Sequence, residues 1–590
     1  VGYLAAGAIF VALFVRGLYI GELRWPFAEE RPTDALLANF RALLGYFVYM
    51  VIVIVVAVPE GLPMSVTVSL ALAMRKMTRA NSLVRQLVAC ETIGSATVIC
   101  TDKTGTLTRN RMTVVQAEGD GPVLRLNAAV NSTAQLSEKD GQPFAIGNST
   151  EGALLLWLRA NGETDPLRNR SESRILFQST FSSQTKRMIT VVERDDRLVV
   201  LVKGATELLL ADCETFAKPK AEFESSLRES TAGAMRTLGF AHRYLPADLT
   251  PDLILTMHRS GELEEGLHFD GYVGIRDPLR EDVPDAIREC RRAGITVVMI
   301  TGDNPETARA VARDAGLLEA PRDLLLTHAD LKRMTDEEVT AALPRLAVVA
   351  RAQPLDKYRL VKLFQREGQV VAMTGDGTND APSLRQADVG LAMGLSGTEV
   401  AKEASKIILL DDSFATIAKA VRWGRALYEN IQKFIVFQLT INVSALAIAL
   451  LSPFLGFRPP FTVLQLLWIN VIMDTFAAIA LCSEAPRKQL MELPPKRRDE
   501  NILTRNMLAI IVATAAFFVV AMLALLLGMH FEGWFAGTGA VSAEFAPLTV
   551  RQTTIFFTVY VLFQFWNQFN CRSLDPRTSG LAGLLGNRPC

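Results

Sequence analysis

The sequence predicts a multidomain membrane protein. Transmembrane α-helices flank a doubly wound α/β domain, which is itself interrupted by an α+β insertion. Three observations predict it. Long apolar runs with almost no charge stand towards both ends of the 590-residue chain, whereas from Arg75 to Arg425 no segment is long and apolar enough to span a bilayer. Within that middle stretch, short β-branched runs each lead into an acidic or glycine-rich cluster, as buried parallel strands do when their carboxyl ends carry a site. The length exceeds what one hydrophobic core supports.

Lys plus Arg and Asp plus Glu both total 62, so no basic excess points to a nucleic-acid partner. The seven cysteines show no CxxC spacing and the five histidines are scattered, which argues against a disulfide framework and a zinc site.

Taken in order, Val1 to Val15 is apolar and closed by Arg16; it reads as part of a membrane helix, and the chain is expected to be a fragment. Leu43 to Met74 is long enough to span, and its middle holds Val58-Pro59-Glu60-Gly61-Leu62-Pro63. Two prolines and a glycine break the helix and free carbonyls at membrane depth. A carboxylate in the same place marks a functional site, and carbonyls with a carboxylate are hard ligands for a cation. Four further spans are expected at Phe434–Phe457, Phe461–Leu481, Met507–Leu527 and Thr553–Phe569. Basic residues after Leu481 (Arg487, Lys488, Lys496, Arg497, Arg498) assign that loop, and by counting back the middle stretch, to the cytoplasm.

The middle stretch begins with Ala96-Thr97-Val98-Ile99-Cys100, a strand that runs into Thr101-Asp102-Lys103-Thr104-Gly105-Thr106-Leu107-Thr108. Ile295–Ile300 leads into Thr301-Gly302-Asp303-Asn304, and Val370–Met373 into Thr374-Gly375-Asp376-Gly377-Thr378-Asn379-Asp380. Ala347–Ala350 precedes Arg351-Ala352-Gln353-Pro354, with Lys357 shortly after. Asp285–Ala293 and Asn304–Ala315 read as crossover helices.

These motifs resemble those of the P-type ATPases, cation pumps that pass through an aspartyl-phosphate. The resemblance implies a haloacid-dehalogenase-like phosphorylation domain in which Asp102 is the nucleophile. It also implies that Asp102, Thr104, Asp376 and Asp380 hold Mg2+, that Lys357 screens the phosphoryl oxygens, and that Thr301, Gly302, Asp303 and Asn379 complete the site. Between them, Gly147–Leu154, Phe181–Met188 and Lys203–Glu207 resemble the family's nucleotide-binding domain. There Phe181 would stack on adenine, Glu151 would meet the base edge, and Lys186, Lys203 and Arg236 would meet ribose and phosphates, with Thr104 also counted in the nucleotide site. Asp277 falls where the family's hinge aspartate does. The implied domains are membrane helices at 1–78, a phosphorylation domain at 79–109 and 277–420, a nucleotide-binding domain at 110–276, membrane helices at 421–580 and a loop at 581–590.

Asn470 and Asp474, four residues apart, share one helix face, and the preceding run offers Asn442. Glu60, Asn470 and Asp474, with carbonyls of Val55, Val56 and Val58, would form an oxygen cage for Ca2+. Pro59–Pro63, Phe437–Val443 and Asn470–Asp474 look like the plasma-membrane-type calcium pumps. Ala445 stands where the sarcoplasmic-reticulum type has a Glu, which implies one Ca2+ site. The expected activity is ATP-driven Ca2+ export across the plasma membrane, with lipid, ATP and Ca2+ as partners and the catalytic domains cytoplasmic. A pump for Na+ or Mn2+, or a membrane-tethered phosphotransferase, is the alternative. The family's actuator loop has no counterpart in the sequence, so completion of the cycle by this chain alone is not expected.

Overall fold

The computed structural model describes the chain except residues 1, 20, 24–31, 58–60, 120, 140–141, 164, 182–184, 195–196, 234, 456, 458–459, 497–499, 532–547 and 575–590. Contacts divide the chain into two compact units, Ala96–Ala418 and the flanking Val1–Ser95 with Lys419–Cys590.

In the first of these units, the strands Val98–Asp102, Thr296–Ile300, Leu346–Ala350 and Val371–Gly375 fall on the runs expected from the sequence. Three further ones join them: Leu324–Thr327, Val389–Met393 and Ile407–Leu409. These escape a periodicity reading because a triple leucine favours helix as readily as strand and Val389–Met393 is interrupted by Gly390. The sheet is parallel. The Asp102 strand lies in its middle, between Thr296–Ile300 on one side and Val371–Gly375 on the other. Chain order reverses across that strand, so Asp102 sits at the switch point where a crevice opens outside the strand ends. Val98, Cys100, Val298, Ile300, Val349, Val371 and Met373 are buried together with Leu360, Val361 and Phe364 of the Pro354–Arg366 helix. The expected crossover helices are Val283–Arg292 and Pro305–Asp314, the second capped by the Asn304 side chain accepting from Thr307 N.

The insertion forms an antiparallel sheet in the order Thr113–Glu118, His268–Arg276, Arg236–Leu245, Arg197–Ala205, Arg187–Arg194, Arg174–Gln178. Its strands alternate between two cores, as a pleated sheet with both faces covered must. Val200 and Val202 pack with Leu209, Phe223 and Ile254. Val199 and Leu201 pack with Leu124, Leu154 and Leu158 of the helices Pro122–Val130 and Ser149–Ala160.

In the other unit, four helices among the described residues are long and apolar enough to cross a membrane: Leu36–Ile54, Phe414–Leu451, Val463–Cys482 and Arg505–Met529. The expected fifth span, Thr553–Phe569, is a helix, Val550–Asn570, but it is not among these four. It buries Gln552, Gln564 and Asn567 alongside Phe556 and Tyr560, and those polar side chains lower its hydropathy. Expected residues Val1–Val15 lie largely in the helix Gly2–Tyr19. The Leu43–Met74 run divides into Pro32–Ala57 and Gly61–Arg79, while Val58, Pro59 and Glu60 lie outside the described residues. Phe434, Phe437, Ile441, Ala445 and Ile448 recur at three- and four-residue spacing and form a stripe packed on Phe461, Leu466, Met522, Phe556 and Tyr560.

At the membrane unit's end near Ser95, two backbones touch. A Cβ on Gly424 would lie 2.5 Å from Gly94 N and 2.6 Å from Cys90 O. Only glycine allows that approach. Gly424→Ala is expected to cost about 1–3 kcal/mol through forced backbone displacement, read as a lowered thermal midpoint in detergent; an unchanged midpoint would show that this crossing carries no packing constraint.

Candidate functional site

Asp102 ends the central strand, and its half-buried carboxylate faces the crevice. Lys357, in the first turn of Pro354–Arg366 and 7% exposed, donates from Nζ to Asp102 Oδ2 at 2.6 Å and to Asp380 Oδ1 at 2.8 Å. The other Asp380 oxygen accepts from the amides of Asp376 (3.3 Å) and Gly377 (3.2 Å). Asp380 can approach so closely because residue 375 is glycine: a Cβ there would stand 2.5 Å from Asp380 Cβ. The backbone on either side of Asp102 is held as well. Asp102 N donates to Thr374 Oγ1 at 2.8 Å, and Lys103 N donates to Asp102 Oδ1 at 2.7 Å.

Asp102, Asp376 and Asp380 each bring a carboxylate oxygen within 4.8 Å of the others. Burial opposes the charge of Lys357, but the carboxylates of Asp102 and Asp380 outweigh it and raise its pKa above the ordinary lysine value. Asp376 shows the opposite balance: burial, followed by repulsion from Asp102 and Asp380, pushes its carboxyl above the usual range. Three acids facing one ammonium leave negative charge uncompensated. The donors are hard oxygens, so the cluster fits Mg2+.

Around this centre, Thr301 is buried, and its Oγ1 accepts from Asp303 N at 3.2 Å. Asp303 forms an ion pair with Lys103 Nζ at 2.6 Å. Thr104 is half-buried, while Gly302 and Asn379 are exposed at the strand ends. The loop after Asp102 is strapped to the chain leaving the antiparallel sheet. Thr108 Oγ1 donates to Asp277 Oδ2 at 2.5 Å, Arg111 N to Asp277 Oδ1 at 3.1 Å, and Arg280 Nη2 to Gly105 O at 3.0 Å. A cavity of about 560 Å3 beside it is lined by Lys103, Asp303, Asn304, Arg236, Arg276 and Asp277, among others.

In the antiparallel domain, Glu151 and Lys203 form a buried pair, 2.6 Å apart. Glu151 also accepts from Thr133 N and Oγ1, each at 2.7 Å. Burial pushes the Glu151 carboxyl up, but Lys203 and these hydrogen bonds hold it below the usual carboxylate range. Phe181 is 56% exposed. Lys186 is exposed with a left-handed backbone (φ 52). Arg236 is exposed and donates to Thr150 Oγ1 at 3.2 Å. The structure therefore joins Glu151 to Lys203 and brings Arg236 to the cavity, and it puts Phe181 and Lys186 on the surface.

In the membrane unit, Asn470 and Asp474 are both buried, as their spacing predicts. Asn470 lies in Trp468–Met473, a π-helix rather than the α-helix assumed from the sequence, and Asp474 opens the α-helix Asp474–Cys482 that follows it. Such widened turns recur at functional sites. Neither carboxylate oxygen of Asp474 finds a hydrogen-bond partner among the described residues. Asn442 is buried and accepts from Gln438 Nε2 at 3.3 Å. Val55 and Val56 lie in the last turn of Pro32–Ala57, and Val58 and Glu60 lie outside the described residues.

Thr374, although inside a quoted motif, and Arg280, three residues after Asp277, carry no expected role in the sequence reading. Their work is done on backbone atoms of distant segments, which spacing does not reveal.

Residues 122–282 match a family model described as P-type ATPase, cytoplasmic domain N, and residues 458–589 match one described as Cation transporting ATPase, C-terminus. The chain is 40% identical over 585 residues to "Calcium-transporting ATPase 7, plasma membrane-type" of Oryza sativa subsp. japonica, covering 93% of this chain and 55% of the relative. It is 40% identical over 579 residues to "Calcium-transporting ATPase 8, plasma membrane-type" of Arabidopsis thaliana, covering 91% and 52%. It is 38% identical over 632 residues to "Plasma membrane calcium-transporting ATPase 3" of Homo sapiens, covering 98% and 51%. The chain thus spans about half the length of the curated relatives it matches. Two family models and this identity, extending through both membrane regions and the domain between them, make the chain a member of the P-type ATPases, similar throughout to their plasma-membrane-type calcium-transporting branch.

Proposed function

We propose that this chain carries the phosphorylation, nucleotide and ion-binding parts of an ATP-driven Ca2+ pump that exports Ca2+ from the cytoplasm across the plasma membrane through an aspartyl-phosphate. The single observation that carries the reading is Lys357 held between Asp102 and Asp380, with Asp376 alongside. A carboxylate is a poor nucleophile towards a phosphate anion unless the approaching charges are neutralised. Lys357 neutralises from one side. Mg2+, when held by Asp102, Thr104, Asp376 and Asp380, supplies further positive charge at the phosphoryl oxygens. An Asp102 oxygen then attacks the γ-phosphorus, the bond to the bridging oxygen breaks, and ADP leaves with the bonding electron pair. Thr301, Gly302, Asp303 and Asn379 line the strand ends where the transferred group would sit.

Residues 110–276 are proposed as the nucleotide-binding domain and 79–109 with 277–420 as a haloacid-dehalogenase-like phosphorylation domain. An exposed aromatic such as Phe181 is a platform for adenine, and Lys186 and Arg236 offer cations for ribose and phosphates. The Glu151–Lys203 pair is buried, with Lys203 in the strand that lies between those beginning at Arg187 and Arg236. Residues 1–78 and 421–580 are proposed as the membrane helices. Glu60, Asn470 and Asp474, with carbonyls of Val55, Val56 and Val58, are proposed as one Ca2+ site. A buried carboxylate with no hydrogen-bond partner is expensive unless a cation completes it.

Two tests follow. Incubation with γ-labelled ATP, Mg2+ and Ca2+ should give an acid-stable, hydroxylamine-sensitive label that is absent in Asp102→Asn. In Lys357→Met the label should form about 100-fold more slowly, the scale of losing one electrostatic group in a dry site; labelling of Asp102→Asn at the native rate would sink the assignment. Asp474→Asn should abolish Ca2+-triggered labelling, or move it to far higher Ca2+, while leaving the ion-free chain as stable as, or more stable than, the native one, because a costly buried charge is removed. Should Na+ or Mn2+ trigger labelling where Ca2+ does not, the ion is different. Labelling indifferent to every cation but Mg2+ would instead indicate a tethered phosphotransferase.

A further inference from the structure

Next to the cavity beside Asp303 is a second cleft of about 730 Å3, and the two share Thr231, Glu306 and Ala310 in their walls. One wall is the helix Lys220–Ala232, which contributes Arg228; the other is Pro305–Asp314, which contributes Arg309 and Arg313. Three guanidinium groups therefore line one cleft, against a single lining carboxylate, Glu306. Arg228 Nε donates only to the backbone carbonyl of Glu224, at 3.3 Å. Arg309 and Arg313 have no side-chain hydrogen bond or ion pair among the described residues.

This arrangement works against the local fold. Arg309 and Arg313 stand at i and i+4 on one helix face, where like charges destabilise, and Arg228 adds a third positive charge across the cleft. Arg313, in the last turn, favours the helix dipole. Arg309 is mid-helix, where that benefit does not reach. Residues that break a local rule without internal compensation mark places where something else supplies it.

We propose that this cleft is a second anion site, which takes a compact polyphosphate group. Guanidinium forks match phosphate oxygens bidentately, and several converging forks select an anion with several charges. The volume is that of a small-molecule site and too small for a folded partner. Because its two walls belong to the antiparallel and the parallel domain, an anion bound there bridges the two helices. The site adjoins the cavity lined by Arg236, which is proposed above as a nucleotide contact, but its recognition rests on Arg228, Arg309 and Arg313 alone.

The test is backbone amide exchange of the full chain in detergent, titrated with inorganic tripolyphosphate while a non-hydrolysable ATP analogue saturates the first cavity. Tripolyphosphate should slow exchange in 220–232 and 305–314. The double substitution Arg309→Ser with Arg313→Ser should raise the concentration required about tenfold, the loss of charge-assisted contacts, and Arg309→Lys should raise it less. The lysine variant keeps charge and stem, so it still reports if the double variant unfolds. Repeating the titration with excess ATP separates the sources: protection of both helices by a second equivalent of ATP assigns the site to a nucleotide's phosphate chain, and protection by tripolyphosphate alone assigns it to free polyphosphate. No protection by either, or protection unchanged in the double variant, overturns the proposal. Failure of the analogue to bind in its own titration would count against the neighbouring nucleotide reading and leave the arginine cleft to be judged by tripolyphosphate.

Discussion

Lys357 reaches from the start of a helix into the crevice of the parallel sheet and holds Asp102 and Asp380 together through one ammonium group. The rest of the parallel-sheet domain is arranged to make that contact possible. The Asp102 strand must be central so that its end meets both neighbours. Gly375 must lack a side chain so that Asp380 can turn back, and Asp380 must be fixed by two backbone amides so that it points at the lysine. Removing one partner from such a buried set leaves uncompensated charge worth about 3–5 kcal/mol. The same lysine thus ties the end of the Asp102 strand to the turn that follows Val371–Gly375.

The membrane unit handles charge differently. Near its ends, buried charges are matched: Lys433 lies 2.8 Å from Glu484 and 3.0 Å from Glu429. Burial pushes the Glu484 carboxyl up, but Lys433 and Arg572 hold it below the usual range. Deeper in, Asp474 is fully buried with neither oxygen satisfied. Proteins rarely leave a carboxylate so placed without a partner. The contrast between a matched network and an unmatched acid in one helix bundle is what makes Asp474 read as an ion ligand rather than a structural residue.

Much of this was legible in the sequence because motifs are local. Asp102 through Thr108, Thr301 through Asn304 and Thr374 through Asp380 each end a β-branched run, and strand ends in a parallel sheet are where a site must lie. The burial of Asn470 and Asp474 was legible for the same reason, although Asn470 lies in a π-helix and Asp474 at the start of the α-helix after it. Less legible were the contributions made through the backbone. Thr374 supports Asp102, and Arg280 straps the loop at Gly105, across 272 and 175 residues of chain. Nor does spacing disclose that Glu151 and Lys203 pair with each other, since each alone reads as a ligand to a nucleotide.

By itself the sequence determined the elements and their chemistry: which runs are apolar enough for a membrane, which strands are buried on both faces, and which carboxylates end them. Those properties follow from residue type and period, which need no partner. The tertiary structure alone decided which charges neutralise one another and which do not. It pairs Lys357 with two acids, pairs Lys203 with one, and leaves Asp474 without a cation and Arg309 and Arg313 without a carboxylate among the described residues. Electrostatic pairing depends on distances of a few ångströms between segments far apart in the chain, and only the folded packing sets those distances.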